Sequence, residues 1–202
     1  MHRSAPDQHA VRAIRLWSGP NNIAALVREA FVQRGDCSLA ATPDGQPLWL
    51  QVPALANLSW VGADWGDGEQ HILLIRDPHA QIADLQLTHP HLCAEDLGLP
   101  QLNRLFERVV DRSGLPPVVI DAEGFLASPQ AHLRALCHHL GIDFRECMAN
   151  RQGERDWQDW RLRLGLPPPS ETGRAVSELL SECLPMYWRL YQHRLQPEPS
   201  TA

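Results

Sequence analysis

VRAIRLWSGPNNIAALVREAF, residues 11–31, is the stretch whose reading decides the fold. Residues 11–17 form an apolar run that stops abruptly at Ser18-Gly19-Pro20. Beyond the break, Ile23, Leu26, Val27, Ala30 and Phe31 recur at i, i+3, i+4, i+7 and i+8. The run reads as a strand and the recurrence as one apolar stripe on a helix, joined by a tight turn. Gly35 follows the helix where a C-terminal cap belongs.

Working outward, the same alternation repeats. Residues 37–41 read as a short strand closed by the turn-forming Thr42-Pro43-Asp44-Gly45, and residues 48–52 as another. From 53 to 70 no period is visible. Residues 71–75 form a compact apolar strand, after which Asp77 caps a helix with Pro78 in its first position. Pro100 opens a helix with Leu102, Leu105, Phe106 and Val109 on one face, ended by Gly114. Residues 118–120 make a β-branched strand. Ser128 and Pro129 start a helix striped with Leu133, Leu136, Cys137 and Leu140, and a shorter helix over 156–164 carries Trp157 and Trp160. The last helix, 174–195, contains Pro185, so a kink or break is expected. Strands alternating with helices predict a parallel sheet covered on both faces, a three-layer α/β/α sandwich. Residues 11–195 read as a single domain, 1–10 as a disordered N-terminal segment and 196–202 as a polar tail.

Composition narrows the function classes. The 202 residues carry 18 basic and 24 acidic side chains, a net charge of −6, which argues against a nucleic-acid coat. A hydrophobic share of 44% with 21% charged residues is that of a folded chain and not of a disordered one. No apolar run approaches the roughly 18 residues of a membrane span. The first ten residues lack the apolar core of a secretory signal, and the five cysteines form no C-x-x-C pair. Both features predict a cytoplasmic protein with reduced thiols.

Two turns have chemical potential, because ligands of open α/β sheets bind outside the carboxyl ends of the strands. The turn at 18–22 offers backbone N–H groups to an anion. Arg76, at the end of the 71–75 strand, offers a guanidinium to a second anionic group. Together they suggest a doubly anionic ligand. An ordinary strand–turn–helix and a capped helix start with an ion pair would leave the same traces.

Other clusters are weaker. His89, His91 and Cys93 alternate as zinc ligands on a strand would, but they flank Pro90 in a loop and have no fourth partner. His138 and His139 fall outside the stripe that claims Cys137. Ten histidines predict a marked change of charge between about pH 5 and 8. Trp49, Trp60 and Trp65 are core residues by default and an acceptor or partner surface if exposed. Neither G-x-S-x-G nor the full G-x-x-x-x-G-K-[ST] pattern occurs.

Read whole, the chain resembles the sulfotransferase-like family of bacterial P-loop proteins. The matching stretches are RLWSGPNNIAALVREAFVQRGDC, HILLIRDPHAQIADL, EDLGLPQLNRLFERVVDRSG, PPVVIDAEGFLASPQAHLRALCHHLGIDF and LPMYWRLYQHRL, in the family's order. The resemblance implies a fold related to nucleotide kinases and 3′-phosphoadenosine 5′-phosphosulfate (PAPS) as sulfonate donor, with no metal. It implies that Ser18, Gly19, Pro20, Asn21 and Asn22 hold the 5′-phosphosulfate, and that Arg76 pairs with the 3′-phosphate. Asp84 stands where a serine is expected beside that phosphate.

The sequence departs from the family pattern at several points. Asn21 replaces a basic residue, and Ala24-Ala25 replace a Ser-Thr pair. Asp84 would repel a 3′-phosphate if it points inward. Residues 51–70 contain no His, Lys or Arg to serve as a base, so no catalytic residue is assigned. Arg151-Gln152-Gly153 is only faintly similar to the basic loop that closes over the nucleotide. Two expectations follow: weakened sulfonate transfer to a small acceptor, or a non-catalytic relative that binds a catalytic partner protein or a second copy of itself.

Overall fold

The computed structural model describes residues 12–40, 46–53, 55, 69–86, 89, 91–149 and 174–197. Five strands, β1 (Arg12–Ser18), β2 (Cys37–Ser38), β3 (Leu48–Gln51), β4 (Gln70–Ile75) and β5 (Val118–Asp121), form one sheet in the order β2-β3-β1-β4-β5. Every pairing is parallel, with Ser18 opposite Leu74 and Ile75 opposite Asp121. Seven helices accompany them among the described residues. They are α1 (Ala24–Gln33), α2 (Pro78–Leu85), α3 (Ala94–Leu97), α4 (Leu99–Ser113), α5 (Ala122–Ala127), α6 (Pro129–His139) and α7 (Arg174–Tyr191), with one 3-10 turn at Glu146–Ala149.

Alternation along the strands divides the apolar residues between two cores. Ile14, Leu16, Ile72, Leu74, Val118 and Ile120 face α1 and α6, where Val27, Phe31, Leu133 and Leu136 meet them. Trp17, Leu73, Ile75 and Val119 face the opposite layer, against Ile82, Leu102, Leu105 and Leu190. Because both faces are covered, residues 71–75 of β4 are all buried, which is why that strand reads as a continuous apolar run and not as an alternation. The predicted α/β/α sandwich is the observed architecture.

The differences are local. The strand expected over 37–41 is two residues long. Past it, the carbonyl of Ala40 accepts from the Trp49 indole N–H (2.9 Å) and from Gln51 Nε2 (3.2 Å), so side chains take the place of a ladder. Helices α3 and α5 were not anticipated. The latter begins where Asp121 accepts from the Gly124 N–H (2.9 Å). Ser128 does precede α6, but its side chain makes no cap bond to a backbone amide and its hydroxyl lies 3.2 Å from His132 Nδ1. Pro185 sits inside an unbroken α7, exposed, while Cys183, Tyr187 and Leu190 around it are buried. Packing of that stripe outweighs the single backbone bond that proline removes. The turn at 42–45, the helix at 156–164, Trp60, Trp65, the basic stretch at 151–153 and both chain ends (1–11, 198–202) lie outside the described residues.

Candidate functional site at the carboxyl end of the sheet

The strand order determines where a ligand can sit. The chain leaves β1 through α1 toward β2 and β3, and leaves β4 through α2 and α4 toward β5 on the other side. Between β1 and β4 the connections therefore diverge, and it is at the carboxyl ends of such a pair that open α/β sheets bind ligands. The turn at 18–22 and Arg76 both lie at this place and touch each other.

The turn is held from both sides. Ser18 donates its hydroxyl to the Gly19 carbonyl (2.8 Å), and Gln81 Nε2 on α2 donates to the Pro20 carbonyl (2.8 Å). A Cβ on Gly19 would lie 2.3 Å from the Leu97 carbonyl oxygen, so only glycine lets the α3–α4 junction press against the turn. Gly98 completes that junction with φ of +79°. Asn21 is exposed at φ +49°, a left-handed conformation that asparagine tolerates better than most residues. Asn22 is buried, and its amide donates to Leu74 O (3.2 Å) while accepting from the Ile23 N–H (2.7 Å). Its side chain is thus a strut between β4 and the start of α1. The first helical bond of α1 runs from the Val27 N–H to Ile23 O (3.1 Å), so the N–H groups of Ala24, Ala25 and Leu26 belong to a first turn with no intrahelical acceptor.

Arg76 reaches across to this turn. Its NH1 donates to the Asn21 carbonyl (2.7 Å) and pairs with Asp84 Oδ2 of α2 (2.7 Å); its Nε stands 3.7 Å from Glu123 Oε1 of α5. The Arg76 side chain is 1% exposed, against 14% for Asp84 and 43% for Glu123. Its Nε has no hydrogen-bond acceptor among the described residues. Asp84 therefore points inward, onto the guanidinium, the orientation the sequence left open.

The surrounding charge is acidic. Asp77 accepts from the His79 N–H (2.8 Å), and its own N–H donates to Glu123 Oε2 (3.3 Å). Asp121 accepts from the Tyr187 hydroxyl of α7 (2.9 Å). Burial and the neighbouring Asp121 push the Glu123 carboxyl up to about 7, against the pull of Arg76. Burial and Asp121 also push the Tyr187 hydroxyl well above its ordinary range. Asp121 and Glu123 were missed in the sequence, although an acidic residue directly after a β-branched strand marks the same edge as Arg76. The chain also contains no lysine, all 18 basic residues being arginine, so the ammonium common in phosphate-binding loops is missing altogether.

His71 lies at the opposite, amino end of β4. It accepts from the Trp17 indole N–H (3.1 Å), and burial lowers it to about 4. Cys93 is occupied at the start of α3, where its backbone N–H and thiol both reach Asp96 Oδ2 (2.9 and 3.2 Å). His138 and His139 are exposed on α6.

A doubly wound parallel sheet with a tight turn and an arginine meeting at its switch point defines a class, the parallel α/β sandwich proteins. A family model, the sulfotransferase domain, matches residues 50–159, more than half of the sequence, and the chain belongs to that family. Two curated proteins of Arabidopsis thaliana, branched-chain-amino-acid aminotransferase-like proteins 2 and 1, are each 29% identical to it, over 132 and 138 residues. Those matches cover 58% and 61% of this chain but 23% and 24% of the relatives, so it spans about a quarter of their length. Among solved structures, the sulfotransferase domain of the Synechococcus PCC 7002 olefin synthase superposes with a TM-score of 0.54 at 12% identity, over 90% of this chain and 98% of that one. That likeness concerns the fold alone.

Proposed function

We propose that the carboxyl end of the β1–β4 pair binds a nucleoside 5′-phosphosulfate and that the chain transfers its sulfonate to a small acceptor. The observation that carries this reading is the direct meeting of the 18–22 turn with Arg76 at the switch point, through the Asn21 carbonyl. The N–H groups of Ala24, Ala25 and Leu26 lie where an anionic 5′ end is stabilised by the helix terminus. In the transfer, an acceptor oxygen bonds to sulfur as the S–O bond to the 5′-phosphate breaks. The electron pair leaves on the nucleotide and the acceptor proton passes to solvent. The residues contribute position and backbone dipoles, with Arg76 bracing the turn from below.

PAPS, the donor implied by the family, fits this site only in part. Its 5′ end suits the turn, whereas a 3′-phosphate at Arg76 would meet Asp84 and Glu123 on the guanidinium it needs. Amino-group transfer, suggested by the names of the two plant relatives, would need a Schiff-base lysine, and none occurs in these residues.

A second reading is favoured by the same acidic surroundings: a binding subunit that has lost transfer and serves a catalytic partner or a second copy of the chain. The five cysteines form no disulfide with one another, which suits a cytoplasmic setting. No helix among the described residues is long and apolar enough to cross a membrane.

Hydrogen exchange with adenosine 5′-phosphosulfate present separates the readings, combined with an assay of sulfate release to water. Protection of residues 19–26 with slow sulfate release supports transfer. Protection without release supports the binding subunit. No protection at millimolar ligand ends both.

A further inference from the structure

The groups gathered at Arg76 have a hydrogen-bonding pattern that a phosphate dianion cannot match. Arg76 Nε is a buried donor with no acceptor among the described residues, and 3.7 Å away Glu123 Oε1 is an acceptor that does not bond it. Asp84 Oδ2 already takes NH1. A group placed against this trio must accept from Nε and donate to a carboxylate. At neutral pH a phosphate monoester is mainly the dianion, which only accepts, and it brings close to two negative charges to a guanidinium that Asp84 already neutralises. A hydroxyl both accepts and donates and brings no charge. The same chemistry lets an acidic residue select the free ribose hydroxyl over its phosphate in dinucleotide-binding folds, where an arginine does the reverse.

We propose that Arg76, Asp84 and Glu123 read a ribose hydroxyl, so that the nucleotide taken by this chain carries a free 3′-hydroxyl and not a 3′-phosphate. The proposal rests on the nucleotide-binding reading above and names its specificity. Asp84 is the selecting residue: it neutralises the guanidinium and holds a carboxylate where a second anion would otherwise enter. Glu123, half-exposed and at the rim, turns aside to admit the sugar and accepts from its hydroxyl.

Calorimetric titration of the full chain with three probes tests this: adenosine 5′-monophosphate, its 3′-deoxy analogue, and adenosine 3′,5′-bisphosphate. The monophosphate is expected to bind at least tenfold tighter than either of the others. In Asp84→Ser the preference between monophosphate and bisphosphate shifts at least tenfold toward the bisphosphate. Asp84→Asn, which keeps an oxygen at the same place, provides the folded control and shifts it in the same direction. Equal or tighter binding of the bisphosphate to the natural chain overturns the proposal and leaves the nucleotide site standing. Equal binding of the deoxy analogue also overturns it. Binding of none of the three probes, by the natural chain or the variants, removes the nucleotide reading and this inference with it.

Discussion

Arg76 joins three segments that are distant in sequence: the turn after β1, helix α2 and helix α5. A guanidinium withdrawn from water is tolerated only when its charge is matched, and here the Asp84 carboxylate matches it. Glu123 bears the cost. With its carboxyl raised from 4.5 to about 7, the folded chain holds a proton there that the unfolded chain gives up. Its contribution to stability is therefore full below about pH 4.5 and is lost as the pH climbs toward about 7. Glu123→Gln is expected to abolish that loss. Urea midpoints should converge with the natural chain near pH 5, and the variant should be more stable by about 1 kcal/mol near pH 8, a figure reduced for solvent screening at a half-open carboxyl. An unchanged difference at both pH values would refute the assignment.

At the scale of elements, the turn at 18–22 is shaped by the α3–α4 junction as much as by its own residues. Gly19→Ala would place a methyl 2.3 Å from the Leu97 carbonyl, a backbone atom that cannot swing away. The junction has to move, and a loss of roughly 1–3 kcal/mol is expected, as for other overpacked positions. Thermal unfolding measures it, and a neutral result would mean that the junction is looser than the contact indicates. Helix α7 presents the opposite case. Pro185 is exposed in its interior, so Pro185→Ala restores a backbone donor without disturbing the Cys183, Tyr187 and Leu190 stripe. A gain of about 1–3 kcal/mol is expected, seen as a raised urea midpoint.

Across the whole molecule, the two apolar layers fix the sheet, and the polar edges distinguish its two ends. The carboxyl end carries Asp77, Asp84, Asp121 and Glu123 around Arg76; His71, near the amino end of β4, instead accepts from the Trp17 indole of the adjacent strand. His71, lowered by burial to about 4, drops out of the change of charge that ten histidines predict between about pH 5 and 8, and burial also lowers His132. His71, brought down to about 4, contributes stability that is full above its unfolded value of 6.5 and is lost as the pH falls toward 4. The expected loss over that window is about 2–3 kcal/mol. His71→Gln should flatten the acid limb of a stability–pH profile, whereas Glu123→Gln changes a slope of the opposite sign. A limb as steep in His71→Gln as in the natural chain would place the acid sensitivity elsewhere.

Local chemistry made much of this legible in advance. The break at Ser18-Gly19-Pro20, the stripe from Ile23 to Phe31, the Asp77 cap and the Pro100 helix start depend on neighbours within a few residues, so the strands, helices and sandwich class could be read from the sequence. Arg76 and the 18–22 turn could be named for the same reason, each standing next to a strand end. What Arg76 touches could not. Asp84 facing inward, Glu123 at the rim, Asn22 spent on Leu74 O and Gly19 pressed by Leu97 all join residues more than five positions apart. Such contacts are set by the packing of α2, α3 and α5 on the sheet, and a burial-dependent charge balance has no trace in a chain read one neighbourhood at a time.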